Sequence, residues 1–274
     1  FIKQQGELME LLHPIFKWLH IFAGITWIGL LYFFNFINGS FAATLDGDTK
    51  KKVVPELMPR TLYWFRWGAA WTWVTGIVLL YVIFWSGSLS MGMTGEDGSM
   101  MADSEGTINK WSHIMILATF LAVFVYDFIY KKFSTLNVRV LTLISFSLIG
   151  AMVYFMGHCG EFGFRAYNIH IGAMFGTMMA FNVWFRIWPA QQRIITAIKN
   201  GDTPDSADPA MAGLRSKHNT YMSMPLIWTM INEHTTVFNN ILGLHTGVEL
   251  MIIIAVGWHI IFQCYKKAAK IEGF

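Results

Sequence analysis

Nine histidines are spread along the 274-residue chain, and their surroundings sort them. His20, His113, His170, His218 and His259 stand within or at the ends of long apolar stretches, whereas His13, His158, His234 and His245 fall outside or at the borders. An ionisable ring at membrane depth is costly and is usually kept for function. Imidazoles at matched depth on different helices suit axial ligation of a b-type haem, whose iron takes one nitrogen from each side of the ring plane. A flat macrocycle needs helices that open, so small residues are expected beside a ligand. His20-Ile21-Phe22-Ala23-Gly24 and His170-Ile171-Gly172-Ala173 both supply them, and Trp27, Phe22 and Phe175 could form apolar walls. His20 and His170 are therefore the expected pair towards one face, with His113 competing as a ligand. His218 with His259 is the candidate second pair, so that one or two haem b groups would be held. The other use of each ring is a hydrogen bond to a neighbouring helix.

The elements that must carry these rings are apolar runs at approximately 14–37, 64–86, 111–130, 137–156, 165–188, 214–232 and 246–265. Such lengths match the ~30 Å hydrocarbon core of a bilayer crossed as a helix. Only 14% of residues are charged, where a soluble domain carries about a quarter. The expected fold is thus an all-α integral membrane protein, one domain over 1–274, a bundle of about seven transmembrane helices. Trp18, Trp64, Trp67, Trp85, Trp111 and Trp188 sit near run ends, where an aromatic ring prefers the headgroup level. Asn219, Thr220, Ser223 and Pro225 interrupt the sixth run, and the proline predicts a kink.

Lysine and arginine set the orientation. Sixteen of the 20 fall in one set of connections and four (Lys3, Lys17, Lys110 and Arg165) in the other, a strong positive-inside bias. The N-terminus is expected outside and the C-terminus in the cytoplasm, as a multi-pass protein of a bacterial inner membrane. Phe1 to Leu12 is too polar for the apolar core of a signal peptide. The outer segment 87–110 is Gly/Ser/Met-rich and acidic and reads as a solvated loop, with a basic partner as a further use. Residues 189–213 read as a cytoplasmic linker with a short surface helix at 190–200. Asp127 can reach the interface or pair with Lys131 and is given no catalytic role. Cys159 and Cys264 fall on opposite sides and cannot pair.

Several chemistries find no motif. There is no C-x-x-C-H for covalent haem, no phosphate-binding glycine loop, no nucleophile elbow and no H-E-x-x-H. No basic stripe suggests nucleic acid.

Three stretches carry a resemblance. Trp18-Leu19-His20-Ile21-Phe22-Ala23-Gly24-Ile25-Thr26-Trp27-Ile28-Gly29 resembles the first membrane helix of the bacterial membrane-bound urate oxidases (urate hydroxylases). Arg165-Ala166-Tyr167-Asn168-Ile169-His170-Ile171-Gly172-Ala173-Met174 resembles a second signature of that family. Arg215-Ser216-Lys217-His218-Asn219-Thr220-Tyr221-Met222-Ser223-Met224-Pro225 resembles a third, continued by Asn232-Glu233-His234. The opening stretch is also similar to haem-binding protoporphyrinogen-oxidase-like and copper-resistance membrane proteins.

The resemblance implies a membrane domain that oxidises urate and passes electrons to a c-type cytochrome. In that family a further helix leads to a C-terminal cytochrome c domain; this sequence ends at Phe274, so a separate cytochrome c or partner subunit is the expected acceptor. Trp258-His259 stand where the family carries an Arg-His pair. Arg165 and Asn168, close to His170, could hold a planar anionic substrate, with Asn219 and Tyr221 serving on the inner side. The alternative is a non-catalytic or haem-anchoring subunit of a larger respiratory or photosynthetic complex. A transporter has less to support it, since no inverted repeat is evident and Pro225 is the one obvious helix break.

Overall fold

The computed structural model describes residues 2–85, 110–232 and 244–271, with side chains from residue 11 onward. Most of the acidic segment 87–110, together with Glu233 and His234, lies outside the described residues. Among those described the structure is helical, without a strand. In chain order the helices are α1 (Ile2–Tyr32), α2 (Gly39–Thr44), α3 (Gly47–Leu80), α4 (Lys110–Lys132), α5 (Val138–His158), α6 (Phe164–Asn182), α7 (Trp188–Asn200), α8 (Ala207–Ile231) and α9 (Thr246–Ala268). Three π-helical stretches, Phe33–Asn38, Tyr81–Trp85 and Val183–Ile187, follow α1, α3 and α6 without a break. Such stretches are uncommon and frequently lie at functional sites.

The seven expected runs correspond to the long helices α1, α3, α4, α5, α6, α8 and α9. Several extend beyond the apolar run, because polar turns continue a helix as well as apolar ones do. α3 begins at Gly47, 17 residues before the run at 64, because Asp46 caps it. The Asp46 carboxylate accepts from the amides of Asp48 and Thr49, both at 2.9 Å, and from the Thr49 hydroxyl at 2.6 Å. The Thr49 bonds hold the Asp46 carboxyl below the usual range. α5 starts where Asn137 accepts from the Arg139 amide at 2.8 Å, a side-chain N-cap. α8 continues through Pro225 to Ile231.

Among the described residues, five segments are long and apolar enough to cross a bilayer: Leu11–Thr44, Gly47–Trp85, Lys110–Lys132, Val138–His158 and Thr246–Ala268. Their outward faces are apolar too. On α1, Trp18 and Ile25 are 72% and 69% exposed, while Ala23, Trp27 and Leu31 form the buried stripe. Water would not tolerate such a surface over whole helices, and lipid would. The chain is a multi-pass membrane protein. α6 and α8 have spanning length but fall outside that apolar class. Their buried residues include Asn168, His170, Asn182, Arg215, Asn219, Thr220 and Ser223, so polarity that elsewhere faces water is here turned inward.

α7 is the amphipathic piece anticipated at 190–200. Gly201 ends it at φ +84°, its amide returning to the carbonyls of Ala197 and Ile198, a left-handed cap that glycine adopts without a steric penalty. The Arg193 guanidinium grips the Asp208 carboxylate at 2.9 and 2.5 Å, tying α7 to the first turn of α8. Cys159 and Cys264 are not joined in a disulfide.

The described residues pack as two compact units. The first draws on Phe1–Phe16, Gly76–Met178 and Pro225–Val256, and the second on Lys17–Thr75, Met179–Met224 and Gly257–Phe274. Each holds its own candidate site.

Candidate functional site

In the first unit the site is built on α6. From Ala166 to Gly172 every residue is buried, so this stretch is enclosed by protein on all sides rather than amphipathic. Close approach of α8 makes that possible. A Cβ on Gly172 would meet the Thr229 side chain and lie 3.2 Å from the Met230 methyl, so only glycine fits.

His170 lies at the centre of the buried stretch and is wholly enclosed. Its Nδ1 lies 2.7 Å from the Ala166 carbonyl, and the Trp85 indole N–H donates to Nε2 at 3.2 Å. A carbonyl only accepts and an indole N–H only donates, so the two partners fix one neutral tautomer: proton on Nδ1, lone pair on Nε2. Phe162, Phe84 and Trp85 surround the ring with centroids at 5.1, 6.0 and 6.1 Å. Phe84 and Trp85 are delivered by the π-helical stretch Tyr81–Trp85.

Asn168, also fully buried, donates from Nδ2 to the Thr229 carbonyl at 3.2 Å, while its Oδ1 accepts nothing. Arg165 is half-buried one turn earlier. The Tyr167 hydroxyl donates to Thr246 Oγ1 at the start of α9, and Glu249, one turn further, is buried. His113 sits on an exposed face of α4. At the end of α5, the ring of exposed His158 stacks on Tyr154 and stands 6.5 Å from that of His245, whose Nδ1 accepts the Gly247 amide at 3.1 Å.

In the second unit His20 is half-buried and its Nδ1 is 3.1 Å from Thr75 Oγ1. The Thr75 hydroxyl donates to the Trp71 carbonyl at 2.6 Å, so His20 is the donor to Thr75 and its Nε2 keeps the lone pair. A Cβ on Gly68 would stand 3.2 Å from the Trp27 amide nitrogen, which shows how closely α1 and α3 approach beside this ring.

The same unit holds a polar cluster on α1, α6, α8 and α9. Asn182 donates to Asn219 Oδ1 at 2.8 Å, and Asn219 donates on to the Met179 carbonyl at 3.0 Å. Tyr265 donates to Asn35 Oδ1 at 2.8 Å, and Asn35 donates to Ser216 at 2.8 Å. Tyr221 stacks on Tyr265 at 5.9 Å, and the Tyr32 hydroxyl lies 2.9 Å from Ser223 Oγ. Arg215 is buried and His218 half-buried beside this cluster. His259 stands on an exposed face of α9, its Nε2 3.0 Å from Gln263, away from the face that bears Tyr265. Asn219 and Tyr221 thus meet different partners, Asn182 and Met179 on α6 for the first and Tyr265 on α9 for the second, and His259 is brought to neither.

Among the described residues no three His, Cys, Asp or Glu side chains converge as a bare metal-ion site. A porphyrin iron asks less of the protein, one or two imidazole nitrogens. His170 fits that requirement, because its Nδ1–H is anchored on a carbonyl and its Nε2 lone pair, here accepting the Trp85 N–H, lies among aromatic rings. In its own unit His20 offers an Nε2 lone pair as well, its Nδ1 being held by the Thr75 hydroxyl. Trp85, Asn35, Asn182, Thr229 and Tyr265 are the participants that the run-by-run sequence reading passed over. Asparagine inside an apolar run was the available signal for two of them.

Fold and site together define a multi-pass helical membrane protein in which α6 and α8 bury oriented histidine and asparagine side chains. A family model described as urate oxidase N-terminal matches residues 47–271. The chain belongs to that family. The match runs from α3 through α9 and takes in the His170 and Asn219 stretches, while the His20 stretch precedes it. No curated protein and no solved structure matches the chain.

Proposed function

We propose that this protein is a membrane-bound oxidoreductase that oxidises urate and delivers the electrons, through haem b, to a separate c-type cytochrome or partner subunit. The observation that carries this reading is the His170 enclosure: a buried imidazole with a fixed tautomer, its Nε2 turned into a wall of Phe84, Trp85 and Phe162. His170, and in its own unit His20, are the residues that would hold haem iron. Bound haem would supply one-electron redox chemistry, with its potential set by ligation and burial.

The chain's own residues do the rest. The Ala166 carbonyl holds the proton on His170 Nδ1 and keeps the imidazole plane fixed. The apolar rings exclude water from the buried side. Arg165 and Asn168 would orient a planar anion near His170, the arginine by charge-assisted hydrogen bonds. Asn219 and Tyr221 are proposed contacts in the inner-side cluster. His113, His218 and His259 are less suited to axial ligation: His113 and His259 are exposed, and His218 lies beside buried Arg215.

The test is spectroscopic. The purified chain should give a b-type pyridine haemochrome, and added urate should reduce that haem. His170→Ala should lose the Soret band while His158→Ala keeps it. Haem that ignores urate would favour the anchoring-subunit reading; no Soret absorption would remove both.

A further inference from the structure

The Asn168 amide has one orientation only. The Thr229 carbonyl can accept but not donate, so the nitrogen must face it and Oδ1 must face the other way. Three donors of the same unit are already committed. Thr229 Oγ1 donates to the Leu226 carbonyl at 2.8 Å, the Tyr167 hydroxyl to Thr246, and the Trp85 indole to His170. Asn168 Oδ1 is thus a fully buried carbonyl oxygen that accepts no hydrogen bond, on the helix that carries His170 two residues later. A buried acceptor without a donor is costly, the more so at membrane depth where water does not make up the deficit.

We propose that Asn168 Oδ1 is a specificity-determining acceptor that reads a ring N–H of the substrate. This rests on the urate-oxidising reading and sharpens it, because it names the chemical class: a heterocycle bearing lactam-type N–H groups, not simply a planar anion. Urate belongs to that class. Arg165, one turn earlier on α6, suits the substrate's negative charge or carbonyl oxygens, so the two side chains would impose opposite requirements on neighbouring edges of one ring. A substrate methylated at the nitrogen facing Asn168 loses the donor and leaves the oxygen buried against a methyl group.

The experiment is equilibrium binding of radiolabelled urate to the detergent-purified protein, competed by urates methylated singly at each ring nitrogen. One methyl isomer should compete at least about tenfold more weakly than the others. Asn168→Leu should weaken urate itself about tenfold and abolish the discrimination among isomers. Equal competition by all isomers, or unchanged urate affinity in Asn168→Leu with its thermal midpoint retained, would overturn the proposal. If the leucine variant does not fold, the isomer series on the unsubstituted protein still decides. Haem reduction measured on the same samples separates the two claims. Asn168-dependent binding without haem reduction defeats the oxidase reading alone, and haem reduction without isomer discrimination defeats this one alone.

Discussion

The Trp85 indole and a haem iron would compete for the same atom, His170 Nε2. A hydrogen bond of this kind contributes about 1 kcal/mol net, far less than ligation of a metal. Trp85→Phe should therefore act in opposite directions on the two forms. The haem-free protein should lose about 1 kcal/mol of stability, because Nε2 is left buried without a donor. Haem should bind a few-fold more tightly, because nothing has to be displaced. Thermal unfolding of haem-free protein and haem titration at the Soret band measure the two effects. Loss of haem in Trp85→Phe would mean that the indole supports the site instead of occupying it.

At the scale of elements, the contact between α6 and α8 depends on one absent carbon. Gly172→Ala would press a Cβ against the Thr229 side chain and the Met230 methyl. Overpacking of this kind costs about 1–3 kcal/mol, and the displacement would be felt at Asn168 and His170 on the same buried stretch. A lowered thermal midpoint with weakened haem retention is the expected pair of outcomes. A fully native Gly172→Ala protein would contradict the close approach.

The brace between α7 and α8 gives a pH prediction. The Arg193 guanidinium hydrogen-bonded to it holds the Asp208 carboxyl below its ordinary range. A carboxyl whose folded value is depressed stabilises the fold above its unfolded value of about 3.9, and that help is lost as pH falls through the folded value. Hydrogen exchange of α7 amides should therefore be flat from neutral pH down to about pH 5 once intrinsic rates are removed, then accelerate in more acid solution. The pair is exposed, so raised salt should weaken it as well. Asp208→Asn should show the faster exchange at every pH.

On the whole-molecule scale, the orientation proposed from the bias in lysine and arginine would put Cys159 outside and Cys264 in the cytoplasm. A membrane-impermeant maleimide should label Cys159 in right-side-out vesicles and Cys264 only in inverted ones. Labelling of both from one face would invert or break the proposed topology. Much of the fold was legible in the sequence, because a membrane helix announces itself by the length of its apolar run. Helix ends were less so: Asp46 adds polar turns to α3 that no hydropathy reading counts. His170, Asn168 and Asn219 stood out as polar residues in apolar surroundings. Their partners did not, because Trp85 and Tyr265 look like ordinary interfacial aromatics until helix packing shows which ring nitrogen or amide each one meets. His259 was a candidate for the second pair on depth alone; periodicity places a ring at a depth without saying which side of its helix faces protein, and the ring stands on an exposed face.

The wholly enclosed stretch of α6 also bears on how the protein is made. A segment that carries Arg165, Asn168 and His170 partitions poorly into lipid by itself, so its entry into the bilayer depends on companions already waiting there. Nascent chains truncated just after α6 should be extractable by alkali or carry the segment on the wrong side, and integration should become secure only once α8 has been synthesised. Assembly order would then be a property of the same side chains that are proposed to bind substrate and haem.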